Sequence, residues 1–430
     1  MNMRGTATPE QSRERAALVR LATRSSRAVD PDILLDELTG LARAAGAEVV
    51  LNIVQDRPKP DSATLIGKGK AETLARGCEE AEVSVVIVDN ELSPAQTRNL
   101  EAICGRRVVD RTLLILDIFA RRARTREGQL QVELAQLQYL LPRLAGSGTA
   151  LSQQGGGIGT RGPGETKLET DRRRIRSRIA ALKADIAEVR RRRGYLRTRR
   201  RRADVPTVAL VGYTNAGKTT LFNRLTGAAA LESDALFATL DPLMRRIKLA
   251  DARQLIVADT VGFIDRLPHQ LVAAFHATLE EVVNADLLLH VMDASAVDRE
   301  RRAEAVSSVL GEIGADQVPV LEVFNKIDAV EDDELSSLRA AHPEAVFVSA
   351  LEDLGRSDLL TAVSARLALD CERLHLSFNS SLQADRDLLA DLYRHGTVLV
   401  QEPGTGDQVS LEADVPRRLL GRFSRVRVPA

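Results

Sequence analysis

Apolar residues fall into two rhythms along this chain of 430 residues. Largely apolar runs at residues 48–54, 83–88, 208–211, 255–258, 320–324 and 344–348 predict buried strands. Helical segments near Lys70–Glu80, Pro94–Cys104 and Thr112–Ala120 intervene in or follow the first of these runs. Residues 1–120 are therefore expected to form a small parallel α/β domain. The second rhythm is helical. Leu130, Leu134, Leu137 and Leu141 make an apolar seam that stops near Pro142, and Leu168, Ile175, Ile179, Leu182, Ile186, Val189 and Leu196 continue at heptad spacing. Glu169 and Asp171 put acid at the start of that second helix, which suits its dipole. An antiparallel helical hairpin over residues 121–203 is the expected result. Strands and helices alternate again over 204–371. Residues 372–430, with a helical stretch at Leu388–Tyr393 and strands at Thr397–Val400 and Val409–Leu411, read as a small α+β domain.

Chemistry enters at Gly212-Tyr213-Thr214-Asn215-Ala216-Gly217-Lys218-Thr219. A strand precedes it and the helix-forming Leu221–Leu225 follows, which is the context a P-loop needs. Glycine lets backbone N–H groups turn inward around a phosphate chain, and the helix N-terminus adds a favourable dipole. Lys218 is expected to reach the β- and γ-phosphates, and Thr219, followed by Thr220, to offer a hydroxyl to Mg²⁺. The run 320–324 leads into Asn325-Lys326-Ile327-Asp328. A carboxylate there can accept from N1–H and the exocyclic amine of guanine, a donor pair that adenine lacks. Ser349-Ala350-Leu351 fits the backbone loop that closes over the guanine O6. Asp259-Thr260-Val261-Gly262, at the end of the run 255–258, supplies an acid for the metal and a glycine N–H for the γ-phosphate. In Ala238-Thr239-Leu240-Asp241-Pro242, Thr239 is the candidate that senses metal and γ-phosphate together. GTP or GDP with Mg²⁺ is thus the expected cargo. Lys218, Thr239 and Gly262 are the expected catalytic groups, and Thr219, Thr239 and Asp259 the expected metal ligands. Ras-type enzymes place a water-orienting Gln after the Asp-x-x-Gly segment. Here Phe263 stands there and can neither donate nor accept a hydrogen bond. Slow intrinsic hydrolysis, completed by a partner, is the expectation.

Net charge is zero, yet residues 121–202 hold 22 Lys and Arg against 7 Asp and Glu. The remainder holds 38 against 53. A basic segment in an otherwise acidic chain implies a polyanionic partner, with RNA foremost. Arg172–Arg174, Arg190–Arg193 and Arg199–Arg202 dominate it. Eight glycines between 146 and 164, with charge supplied by Arg161 and Lys167, suit either a tip that probes RNA or an inert linker. Ile66-Gly67-Lys68-Gly69-Lys70 suits either a phosphate contact or a plain strand-to-helix turn. No apolar run approaches the ~20 residues of a membrane span, and Met1–Thr6 lacks a signal peptide's apolar centre. Cys78, Cys104 and Cys371 show neither metal nor disulfide spacing. A cytoplasmic chain, monomeric when free, is expected.

Taken in order, the run 129–137, the glycine-rich 156–171, Gly212–Thr219, Phe237–Asp241, Asp259–Phe263 and Asn325–Asp328 closely resemble the HflX family of translational GTPases. The resemblance covers nearly the whole chain and includes Phe263 in place of Gln. It implies a P-loop GTPase domain joined to an N-terminal α/β domain, a helical linker and a small C-terminal domain. It further implies binding to the large ribosomal subunit through the linker and N-terminal domain, stimulation of GTP hydrolysis there, and splitting or rescue of stalled ribosomes under stress. The linker loop would then approach the peptidyl-transferase region. The N-terminal domain of this family is also associated with adenine nucleotide and RNA unwinding. Two other readings stay open: a GTPase that assembles precursor ribosomal RNA, and a switch acting on a protein effector with the hairpin as a spacer.

Overall fold

Seven consecutive buried positions end the strand Glu14–Ala22 (β1) and place it inside the first sheet. A computed structural model describes residues 14–23, 31–144, 163–202, 205–228, 230, 236–249, 254–265, 279–367, 371–403 and 407–428. The chain divides into two units, one holding residues 14–192 with 236–241 and Asp265, the other most of the remainder.

In the first unit β1 pairs in parallel with Ala47–Asp56 (β2) on one side and Val85–Val88 (β3) on the other, and Arg107–Asp110 (β4) completes the order β2-β1-β3-β4. Helices Pro31–Ala44 (α1), Lys68–Glu80 (α2), Pro94–Cys104 (α3) and Arg111–Arg122 (α4) connect or follow these strands. The periodicity gave α2, α3, α4, β2 and β3, but not β1, α1 or β4. The reason for the first omission is Arg20, which interrupts the apolar pattern of β1 and is nevertheless buried. Asp89 accepts from Arg20 at 3.0 Å and from Arg111 at 2.9 Å, and Glu37 also pairs with Arg111. A buried cation persists only with such partners. The stretch Ile66–Lys70 is the turn into α2, with the Gly67 N–H donating to Gln55 Oε1 at 2.8 Å.

The hairpin arms are Arg126–Leu144 (α5) and Pro163–Arg202 (α6). Leu130, Leu134, Leu182 and Ile186 form their buried seam, with Leu137 and Ile179 packed against it. Arg178 grips both oxygens of Glu133, at 2.6 and 2.7 Å. The proline expected to stop α5 lies inside its last turn, where only one helical hydrogen bond is forfeited. Residues 145–162, with most of the glycine-rich stretch, lie outside the described residues; α6 already includes Gly164. At the far end of α5, Asp110 accepts from Tyr139 Oη at 2.8 Å and from Arg143 at 3.0 Å, fastening the helix to the end of β4.

The near end of α5 is finished by a residue distant in sequence. Thr125 caps it, its hydroxyl accepting from the Gly128 N–H at 3.0 Å. The acid that usually sits at the third helical position to hold the cap's own N–H is replaced by Gly128. Asp241 takes over that role: one carboxylate oxygen accepts from the N–H groups of Arg124 and Thr125, each at 2.9 Å, and the other from the Thr125 hydroxyl. A Cβ on Gly128 would stand 2.5 Å from that second oxygen, so glycine leaves the space Asp241 fills. Beside it Phe237 packs edge-on against Phe119, with ring centroids 4.6 Å apart. Asp241→Ala is expected to cost about 1 kcal/mol and to speed amide exchange over residues 124–129. Unchanged exchange there would refute the capping role.

In the second unit the sheet order is β10-β9-β8-β5-β7-β6. The strands are Thr207–Val211 (β5), Leu243–Lys248 (β6), Gln254–Asp259 (β7), Leu287–Asp293 (β8), Val320–Asn325 (β9) and Val346–Phe347 (β10). All pairings are parallel except β6 with β7. Helices Lys218–Thr226 (α7), Arg299–Glu312 (α8), Asp332–Ala341 (α9) and Arg356–Arg366 (α10) accompany the sheet. Its core runs from Val208 and Leu210 through Leu221 and Phe222 to Leu289, Val323 and Leu359. A separate antiparallel sheet, Cys371–Asn379 (β11), Gln408–Pro416 (β13) and Thr397–Pro403 (β12) in that order, has its own core around Leu376, Phe378, Leu392 and Leu411. Its helix spans Gln383–His395. Among the described residues no helix is long and apolar enough to cross a membrane.

Candidate nucleotide site

The chain leaves β5 between β7 and β8, where neighbouring connections depart to opposite sides and a crevice opens beyond the strand ends. Register sets the participants level. Leu210 pairs with Asp259, and Asp293 pairs with Asn325, so both acids and the asparagine sit at carboxyl ends of strands.

Gly212–Gly217 wraps this end and α7 begins at Lys218. Gly217 has a φ of +86°, and a Cβ on it would lie 2.2 Å from Asn325 Nδ2, so only glycine fits there. Two backbone hydrogen bonds clamp the loop to the Asp259–Phe263 segment: Phe263 N to Gly212 O at 3.0 Å, and Thr214 N to Phe263 O at 2.7 Å. Gly262 is held so close that a Cβ would meet Thr214 Cα at 2.9 Å and Lys218 Nζ at 3.1 Å. The Phe263 side chain is itself buried.

Lys218 is buried, and its ammonium donates to Gly212 O at 3.0 Å and Tyr213 O at 2.8 Å. Burial pushes its pKa down to about 8, against the opposing pull of Asp259. The Thr214 hydroxyl is buried with no hydrogen bond among the described residues. A buried ammonium and an unanswered hydroxyl beside a ring of backbone N–H groups are the complement of an anion. Thr219 Oγ1 donates to Asp259 Oδ2 at 2.8 Å. This all-oxygen pair, one hydroxyl and one carboxylate, is the donor chemistry that Mg²⁺ prefers. Thr260 is anchored by its hydroxyl to Leu210 O at 2.6 Å, which fixes the strand end carrying Asp259 and Val261.

Asn325 uses both ends of its amide to bridge two loops. Nδ2 donates to Ala216 O at 2.9 Å, and Oδ1 accepts from Ala350 N at 2.9 Å. It thereby ties the phosphate loop to the Ser349–Leu351 loop. Lys326, at φ +64°, pairs with Asp293 at 2.7 Å. Asp328, in the turn Ile327–Ala329, is exposed and makes no hydrogen bond among the described residues, so its carboxylate is available to a ligand. Asp293 was not among the sequence candidates. The signal that could have found it is an acid closing the largely apolar strand Leu287–Asp293, level with the Asn325 that closes β9.

The expected metal sensor Thr239, with Ala238, Leu240 and Asp241, belongs to the segment that folds with the first unit. Asp241 was expected at the nucleotide. Its carboxylate instead serves the cap of α5, and Pro242 leads directly into β6.

Comparison with known proteins gives the site its context. Three family models match in series: "GTP-binding GTPase N-terminal" over residues 33–120, "GTP-binding GTPase Middle Region" over 122–200 and "50S ribosome-binding GTPase" over 207–326. The GTPase HflX of Caldanaerobacter subterraneus is 48% identical over 368 residues, covering 86% of this chain and 84% of the relative. That of Escherichia coli K12 is 52% identical over 336 residues, covering 78% and 79%. That of Magnetococcus marinus is 46% identical over 391 residues, covering 91% and 90%. Strand order, phosphate loop, guanine-type turn and identity over most of the length agree, and the chain belongs to the HflX family of P-loop GTPases.

Proposed function

We propose that this GTPase is a nucleotide-driven switch that binds the large ribosomal subunit and splits or rescues stalled ribosomes under stress. The observation that carries this reading is charge segregation: 22 Lys and Arg against 7 Asp and Glu within residues 121–202. Arg173, Arg174, Arg176, Arg191 and Arg192 are exposed along α6, a surface suited to a phosphate backbone. The description "50S ribosome-binding GTPase" of the model matching residues 207–326 supports it. The reading places the protein in the cytoplasm.

In this mechanism the Gly212–Lys218 backbone and the Lys218 ammonium hold the phosphates, while Asp328 selects guanine. Thr219 and Asp259, with Thr239 from the sensing segment, would hold Mg²⁺. When bound, the metal neutralises charge developing on the β- and γ-phosphate oxygens. GTP orders the loops around Thr239 and Gly262, and hydrolysis releases them and lowers affinity for the subunit. Because the Phe263 ring is buried in the fold, the group that orients the attacking water comes from the partner.

GTP turnover with and without purified large subunits tests this reading. The expected result is acceleration of about tenfold or more, with subunit binding that weakens steeply as salt rises. A flat salt response with no acceleration would instead favour a protein effector. In sucrose gradients, release of subunits from intact ribosomes separates this function from assembly on precursor particles.

A further inference from the structure

The loop Ser349–Leu354 is closed on itself on one side. Ser349 and Leu354 exchange backbone hydrogen bonds at 3.1 and 3.0 Å, and Glu352 N donates to Ser349 Oγ at 3.0 Å. Its other side is held from a different element. Arg224, on α7, donates through Nε to Ala350 O at 2.8 Å and through Nη2 to Leu351 O at 2.6 Å. Arg224 is itself exposed, and α7 is anchored to the core by Leu221, Phe222 and Leu225. The guanidinium therefore adds nothing to the packing of its helix. It acts on the loop.

The bond to Ala350 O has a particular consequence. That carbonyl and the Leu351 N–H belong to one peptide group. Ala350 N is already taken by Asn325 Oδ1, whereas Leu351 N makes no hydrogen bond among the described residues. A cation on the oxygen end of a peptide polarises it and strengthens its N–H as a donor. The planar fork of arginine also holds the two successive carbonyls in one fixed geometry, which the rotatable ammonium of lysine does not impose. The Leu351 side chain is 64% exposed, so little packing of its own fixes this stretch.

We propose that Arg224 is a positioning residue for base recognition: it fixes and polarises the Ala350–Leu351 peptide so that the Leu351 N–H meets the 6-keto oxygen of guanine. This rests on the guanine-nucleotide reading of the site. The ligand chemistry that follows is a purine with a strong acceptor at C6, read separately from the donors that face Asp328.

Three diphosphates separate the two readouts in competition against a fluorescent GDP. GDP carries both features. Inosine diphosphate keeps the 6-keto oxygen and lacks the 2-amine. 6-Thioguanosine diphosphate keeps N1–H and the amine but replaces the oxygen by sulfur, a weaker acceptor. Arg224→Ala is expected to weaken GDP and inosine diphosphate by about tenfold each, and the thio analogue by about twofold or less. Arg224→Lys, which keeps the charge but loses the fork, should fall between wild type and alanine and serves if the alanine variant does not fold. Equal losses for all three nucleotides would mean a merely structural role and overturn the proposal, as would no loss for any. Failure of the wild type to prefer GDP over the thio analogue would likewise overturn the 6-keto readout, whereas failure to prefer GDP over adenosine diphosphate would overturn the guanine reading itself, a distinguishable result.

Discussion

Lys218→Ala is expected to weaken GTP and GDP binding by about a hundredfold or more, on the order of 3 kcal/mol. The ammonium is the one cation among the described residues buried against the phosphate loop, and its present partners are only two backbone carbonyls. Carbonyls satisfy the donors but not the charge, so a polyphosphate is the better partner. Isothermal titration measures the loss, and retained micromolar affinity would refute the P-loop assignment. The depressed pKa adds a signature with a definite sign. Burial pushes Lys218 down to about 8 from its usual 10.5. Between these values the unfolded chain binds more protons than the empty folded one, so stability of the nucleotide-free protein rises with pH across that window. Nucleotide affinity moves the other way. Phosphates favour the charged ammonium, so binding takes up a proton above about pH 8 and weakens as pH climbs. Alanine at this position should erase both trends.

Asp328→Asn should exchange guanine preference for xanthine preference. Asp328 is exposed at the end of β9 and makes no hydrogen bond among the described residues. Its carboxylate offers two acceptors and no donor, which matches the N1–H and 2-amine of guanine. Asparagine keeps one acceptor and gains a donor, which matches N1–H and the 2-keto group of xanthine. The variant is nearly isosteric, so the turn Ile327–Ala329 and the Lys326–Asp293 pair should persist. A loss of about a hundredfold for GDP is expected, with xanthosine diphosphate overtaking it. An unchanged GDP-to-xanthosine-diphosphate ratio would remove this account of base choice.

Much of this site was legible before any coordinates. A phosphate loop is a local event: one buried strand, glycines that permit one backbone path, and a helix starting at Lys218. Asn325–Asp328 is local in the same way, following directly on β9. The parallel α/β pattern was legible for β2 and β3 because their runs are largely apolar. It failed for β1, where Arg20 breaks the run, because its tolerance depends on Asp89, 69 residues away. The helix α5 was legible as a seam that stops near Pro142, and its last described residue is Leu144.

The sequence by itself determined the candidates: the loop suited to phosphate, the acid offered to guanine, the oxygens suited to a metal, and the segment that carries the positive charge. Each depends on a few neighbouring residues whose φ, ψ and side-chain type are set within one strand–loop–helix turn. Tertiary structure decided the assignments of side chains whose partners lie far along the chain. Asp241 holds the cap of α5 because Gly128 leaves it room, and the Phe263 ring is spent on packing. Arg224 holds Ala350 and Leu351 because the register of the sheet brings α7 beside that loop. A short motif fixes backbone geometry from within, whereas a side chain's partner is set by what packing delivers to it.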